Sequence, residues 1–543
     1  MKQQLIFLAL SLFIGTAFAQ SVEEGKKLMY YDRFNSAEDN FRKVIASDPG
    51  NREAYYWLTK VLIEKDDLAG AKKTQQELQA WLAANPKQEP LPLNKVSDAE
   101  LLLHDKKLPE AKAAFEQLLK ETKYKKPEVL IAVSRAYLDA KSLDYNYILD
   151  LLDKAEKRDK KNPEIFVLRG EVYRRLNDGG KSVQSYLAAL SKDASNAEAL
   201  YSIGKIYLTQ NNPEMFLKYF NEAIAKDPAY APAYYELYYY YYFRDVNKAK
   251  GYLDQYIAKT DPSIENEYLM TDFLYASSQP QQAVDKAKSL LESEKEKAQP
   301  RLFKLIAYSY DALGDSTNAL EYLKQYFQKE VDSNLVAKDF ELKAKLLAKF
   351  PGNDDEVVAS FQRAIEMDTL KANKVEYAAQ VAKFYKNAGD KSNEAKWLGK
   401  VYQLKDDPTN IDLYYWGVAH YSAEEYQQAD SVFAVYTEKH PEHIQGFYWR
   451  AKANALIDST MENGLAIPHY EKVIEMAAAD TVQNKSLLIQ AYGYIGAYLA
   501  NVKKEYDMAL TNFDKILQLD ADNTDAIRYR DILLKWVQAE TRN

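Results

Sequence analysis

From Val22 to beyond Leu519 the apolar residues recur at intervals of three and four, broken by short polar turns, which predicts consecutive amphipathic helices rather than strands. The whole pattern then repeats with a period of about 34 residues. One copy runs Leu200, Ile203, Gly204, Tyr207, then Phe216, Phe220, Ala223, Pro228. A second runs Leu413, Trp416, Gly417, His420, then Ala429, Phe433, Tyr436, Pro441, and the first reads Gly25, Leu28, Ala37, Phe41, Val44, Pro49. Each copy is therefore two helices, A and B, joined by a tight turn. Proline closes helix B because it cannot continue the backbone hydrogen-bond ladder.

Small residues recur at one position of helix A (Gly25, Thr59, Ala99, Ser134, Gly170, Gly204, Ala307, Gly417, Gly496) and at one of helix B (Ala37, Ala71, Ala111, Ala249, Ala283, Ala319, Ala429, Ala509). These two series are expected to face each other where the helices cross, because only minimal side chains let the axes approach closely. In its small, aromatic and proline positions the sequence is similar to the tetratricopeptide repeat (TPR) family, across residues 22 to about 525. The resemblance implies an all-α fold, a right-handed α-solenoid superhelix of roughly fourteen helix-turn-helix repeats. It also implies a concave surface lined mainly by helix A that binds peptides or helices.

The expected organisation is a signal peptide at 1–19, repeats 1 and 2 at 20–85, a Pro-rich joint at 86–95, repeats 3 to 14 at 96–523, and a C-terminal capping helix and tail at 524–543. Repeats four (Tyr137 to Ala155) and thirteen (Phe447 to Val473) are expected to carry insertions between their helices. Repeat ten (Phe340 to Ala364) keeps only its second helix clearly. The joint is read either as a hinge or as an irregular stacking contact.

Tyrosine changes the picture most. There are 44 of them, against 20 Phe and 6 Trp, so aromatic surface with a polar tip is spread along the chain. Residues just off the packing stripe of helix A are expected to line the groove: Tyr56, Tyr201, Tyr235, Tyr239, Tyr242, Tyr268, Tyr275, Tyr308, Tyr414, Tyr421 and Tyr448. In the run from Tyr234 to Phe243, helical spacing assigns Tyr234, Leu237, Tyr238 and Tyr241 to packing and Tyr235, Tyr239 and Tyr242 to the groove side. The groove tyrosines serve either as partner anchors or as crevice filling between repeats. A chaperone-tail clamp is not expected, because Lys304 stands at its first basic position but Tyr308 stands where Asn is needed.

The formal charge of -8 and a pI near 5.5 argue against nucleic acid as a partner. With no cysteine, disulfides, thiolate metal sites and a lipid-bearing cysteine are excluded. Lys2, the apolar run Leu5 to Phe18 and Ala17-Phe18-Ala19 read as a signal cleaved before Gln20. The expected location is periplasmic, with secretion or an uncleaved N-terminal anchor as alternatives. No membrane span is expected after cleavage, and peripheral association with an envelope complex is compatible with the sequence.

No catalytic residue, cofactor or metal is assigned. His104, His420, His440, His443 and His469 are scattered, and His440-Pro441-Glu442-His443 is discounted because a prolyl turn prevents the helical i, i+4 pairing of a zincin. Gly180-Lys181-Ser182 lacks the first glycine of a phosphate loop, with Arg175 in its place. The sequence is thus read as a non-enzymatic protein-binding scaffold or adaptor of the bacterial cell envelope, in outer-membrane or secretion machinery assembly. The alternative is a glycan-binding protein using the same aromatic groove.

Overall fold

Capping residues stand where the hydrophobic pattern pauses. Asn51, Asn196, Asp245, Asp315 and Asp390 each accept a hydrogen bond from a backbone N–H in the first turn of the helix that follows. Pro92, Pro127, Pro163, Pro213, Pro280 and Pro300 occupy the first helical position, where the missing N–H has no partner to lose. The computed structural model describes residues 21–141 and 144–540, so the segment read as a signal peptide lies outside the described residues. Among the described residues there are 29 α-helices, numbered α1 to α29 in chain order, and no strand.

The helices pack as consecutive pairs in two compact units, with the boundary between Ala298 and Gln299. The first unit holds α1 (Val22–Tyr30) to α16 (Pro280–Glu294), eight pairs. The second holds α17 (Pro300–Ala312) to α28 (Tyr506–Leu519), six pairs, followed by α29 (Thr524–Glu540). This gives fourteen pairs and a terminal helix, as the repeat pattern predicts.

The joint within a pair differs from the expected small-on-small crossing. A Cβ added to Gly25 would lie 2.3 Å from the ring of Phe41, and at Gly204 2.5 Å from Phe220. Gly170 meets Tyr186, Gly417 meets Phe433 and Gly496 meets Phe513 in the same way. Helix A is thus bare because an aromatic ring of helix B fills the space where its Cβ would stand, while the helix-B alanines are buried. Gly204→Leu is expected to displace Phe220 from its seat and destabilise the first unit by about 1–3 kcal/mol. Urea unfolding followed by circular dichroism checks this, and an unchanged midpoint would show that the ring relocates freely.

Three further expectations are corrected or refined. Repeat ten has both helices, α19 (Ala337–Leu347) and α20 (Asp354–Met367); its first is short and carries charged Lys338, Glu341 and Lys345 that blur the apolar stripe. The Pro-rich joint ends at Pro92, which opens α5 (Pro92–His104), so 92–95 are helical. Repeats two and three are tied across it, since the Asn94 side-chain amide donates to Arg52 O at 2.8 Å and Gln75 Nε2 donates to Ser97 Oγ at 2.7 Å. The insertion in repeat thirteen, residues 458–466 between α25 (Ile444–Ile457) and α26 (Ile467–Ala477), is organised by Asp458, whose carboxylate accepts from the N–H groups of Asn463 and Leu465.

One contact in the first unit is invisible to a repeat-by-repeat reading. The turn between α1 and α2 (Phe34–Ser47) returns to the sixth to eighth pairs: Tyr31 Oη donates to Asp227 at 3.0 Å, and Tyr30 packs on Tyr230 with ring centroids 5.5 Å apart. Asp261 accepts from the Ser36 N–H at 2.9 Å, from the Ser36 hydroxyl and from Arg33 Nε at 3.2 Å.

Candidate functional site

The groove tyrosines separate into four groups. Tyr56 and Tyr268 are corrected: they are 3% and 1% exposed, inside the packing between helices, and offer no face to a partner. Tyr275 is half-buried, and the half-buried Tyr201, Tyr242 and Tyr308 lie between repeats. Tyr201 packs against Phe220 and Tyr230 and donates to Glu236 at 3.3 Å, and Tyr242 donates to Asp272 O at 2.8 Å. Tyr308 donates to Asp339 at 3.0 Å, and Lys304 pairs with the same buried carboxylate at 2.7 Å, so this lysine is engaged within the chain. The other two groups are surface clusters.

The first cluster is a cleft of about 540 Å³ in the first unit, between α11 (Ala197–Thr209), α12 (Pro213–Lys226) and α13 (Ala231–Tyr241). Tyr235 and Tyr239 form one wall with their rings 4.9 Å apart, and Tyr239 is 49% exposed. Lys205, paired with Glu236, and Arg244, stacked over Tyr240 at 4.4 Å, supply charge at its edges. Tyr235 and Tyr239 share a side because they are four apart on one helix. The cleft can hold an apolar side chain against the rings while the cations meet carbonyl or carboxylate oxygens.

The second cluster, in the second unit, gathers Tyr414, Tyr421 and Tyr448 around Trp449. The Tyr421 ring lies 5.1 Å from Trp449, and Lys452 sits over Trp449 at 4.6 Å, over Tyr421 at 5.1 Å and over Tyr448 at 5.7 Å. Tyr448 also donates to Gln490 at 2.7 Å, linking neighbouring repeats. The tyrosines came from helical spacing; Trp449 and Lys452 did not, although Lys452 is four residues after Tyr448 on the same helix face.

The sequence reading also missed a charge ladder on helix A in the first unit. The residue after the small packing position is charged in repeats two to six: Lys60, Glu100, Arg135, Glu171 and Lys205. Lys60 meets Glu100 at 2.6 Å and Asp139 at 2.7 Å, Arg135 meets Glu164 at 2.8 Å, and Arg175 meets Glu171 at 2.7 Å. Burial works against the Lys60 ammonium, but Glu100 and Asp139 outweigh it and hold that charge. Burial raises the Glu100 carboxyl even against Lys60. The regular offset from the small residue was the available signal. In the first unit, helix A therefore contributes fixed charge pairs as well as tyrosines.

The four residues His440 to His443 also depart from expectation. The turn that forbids helical pairing nevertheless brings one ligand atom each of His440, Glu442 and His443 within 4.8 Å of one another. Among the described residues, no helix is long and apolar enough to cross a membrane.

Residues 167–231 match the tetratricopeptide repeat family. A comparison with curated proteins finds no match. Among solved structures, the C-terminal part of a TPR repeat-containing protein from Cytophaga hutchinsonii is 29% identical, with 48% of this chain and 98% of that chain covered and a TM-score of 0.31. A tetratricopeptide repeat protein from Parabacteroides merdae is 19% identical over 46% of this chain and 96% of that one, with a TM-score of 0.35. The Cut9–Hcn1 hetero-tetramer of the APC/C gives 14% identity over 94% and 95%, with a TM-score of 0.27. A helix-A glycine lies under a helix-B aromatic ring at Gly25, Gly170, Gly204, Gly417 and Gly496, and within this series residues 167–231 are similar to the tetratricopeptide repeat family.

Proposed function

We propose that this protein–protein interaction scaffold works without catalysis in the bacterial cell envelope, holding peptide segments or partner helices in the cleft of Tyr235 and Tyr239. The observation that carries the reading is that cleft. It sets an aromatic wall with an exposed ring beside Lys205 and Arg244, a combination suited to an extended or helical segment that has one bulky anchor and acidic or carbonyl groups around it. Export rests on the signal-like segment 1–19, and mass spectrometry of the chain recovered from the periplasm should find Gln20 at its N-terminus.

The cleft is tested with a Tyr235→Ala, Tyr239→Ala variant. Tyr242 is left intact because its hydroxyl joins two repeats. The native chain and the variant, matched by circular dichroism, serve as bait in envelope extract. A protein retained by the native chain and reduced at least tenfold by the variant is the expected result, the loss of two aromatic anchors being worth about 2 kcal/mol or more. Equal retention would remove the cleft from the account. Binding to a glycan array with no protein partner would favour the glycan-binding alternative.

A further inference from the structure

The turn between α24 (Tyr426–Lys439) and α25 reads His440-Pro441-Glu442-His443. The His443 N–H donates to His440 O at 3.1 Å, closing a β-turn with proline at its second position, where the fixed φ of the pyrrolidine ring favours the bend. Closure sets the first and fourth residues side by side. Their imidazoles stack with centroids 5.4 Å apart and planes 10° from parallel. Glu442 reaches both: its Oε1 lies 3.8 Å from His440 Nδ1 and 3.3 Å from His443 Nε2.

An independent feature concerns the far side of the His443 ring. Its Nδ1 lies 3.1 Å from Asn410 Nδ2 and 3.2 Å from Tyr436 Oη, so two groups from neighbouring helices fix the ring plane. An asparagine amide presents either its N–H or its oxygen, and a tyrosine hydroxyl donates or accepts. As placed, the Asn410 amide nitrogen faces Nδ1; turning the amide by 180° lets Nδ1–H donate to its oxygen and leaves the Nε2 lone pair facing Glu442. That is the orientation imposed on metal-bound imidazoles by the groups behind them.

Two imidazole nitrogens and one carboxylate oxygen form a donor set for a borderline divalent cation, with water as fourth ligand. Tetrahedral zinc, with bonds of about 2.1 Å, holds its donors about 3.4 Å apart. The distances from Glu442 to the two imidazoles already bracket that value. The imidazoles are half-buried and Glu442 is exposed, so an ion reaches them without opening the fold. Lys439, the nearest cation in sequence, donates to Tyr402 Oη at 2.9 Å.

We propose that His440, Glu442 and His443 form a zinc site that fastens the end of helix B in repeat twelve to the start of helix A in repeat thirteen, with Asn410 as a positioning residue. Calorimetric titration of zinc into the untagged full chain is expected to show one site. Glu442→Gln, which keeps the side-chain shape, should weaken it at least tenfold, and His440→Ala with His443→Ala should abolish it. Asn410→Ala should weaken it roughly tenfold while leaving the stoichiometry intact. Cobalt substituted for zinc should give the visible bands of a tetrahedral ion in the native chain and lose them in the double variant. Circular dichroism confirms that each variant is folded. No zinc binding by the native chain, or equal binding by native and double variant, overturns the proposal.

Discussion

Lys60→Ala is expected to destabilise the first unit by about 3–5 kcal/mol, the largest effect of any single truncation considered for this chain. Lys60 is 1% exposed, and its ammonium lies between Glu100, 0% exposed, and Asp139. Removing the cation leaves two carboxylates facing each other in a site with little water. Glu100 is already short of partners, since its Oε2 has no hydrogen bond. The pair as a whole need not stabilise the fold, because two charges had to leave water to form it. Lys60→Met combined with Glu100→Leu should therefore recover most of the loss. Urea unfolding with hydrogen exchange read in α3 (Arg52–Glu64), α5 and α7 (Pro127–Asp139) checks both variants. A loss below about 1 kcal/mol for Lys60→Ala would place the cluster among solvent-screened surface pairs.

The second large effect is expected from Asp261→Ala, at about 2–3 kcal/mol, because one buried carboxylate accepts hydrogen bonds from Arg33 and from both the N–H and the hydroxyl of Ser36. These bonds join segments more than 220 residues apart, so their loss should free the first repeat rather than unfold the unit. Amide exchange in α1 and α2 should accelerate, while exchange in α9 (Pro163–Arg175) stays unchanged.

The pH dependence has a definite sign. Burial alone would raise the Asp261 carboxyl, but the bonds from Ser36 and Arg33 outweigh it and hold its pKa below the ordinary value of 3.8. Its stabilisation is therefore complete above that ordinary value and fades as pH falls below it, so native chain and variant should converge in acid. If α1 and α2 exchange at the same rate in both proteins at neutral pH, the contact does not hold the first repeat. Tyr30 packs on Tyr230, which in turn packs on Tyr201. Freeing the first repeat should uncover that part of helix A.

The helices and their pairing were legible because they depend on local rules. Apolar spacing, the recurring small residues and the prolines that close helix B act over a few residues, and they placed roughly fourteen pairs and the last helix. Tyr235 and Tyr239 were read correctly as neighbours on one face for the same reason. The joint inside a pair was read only halfway. A recurring glycine shows that something lies close to helix A, but only coordinates show that Phe220, rather than a helix-B alanine, fills the space over Gly204. Tyr268 and Tyr56 were placed on the groove by spacing alone, yet neighbouring helices cover them, because the angle between successive pairs decides how far each face is shielded.

The sequence by itself determined the units of this protein: helix pairs, their number, and their small and aromatic positions. All of these follow from periodicities of a few residues within one polypeptide stretch. Only the tertiary structure decided which residues from distant repeats meet. Lys60 finds Asp139, Ser36 finds Asp261, and the stacked rings of His440 and His443 come under one carboxylate. The reason is geometric: rotations between successive helix pairs add up, so contacts across many repeats depend on their sum, which no local pattern of residues records.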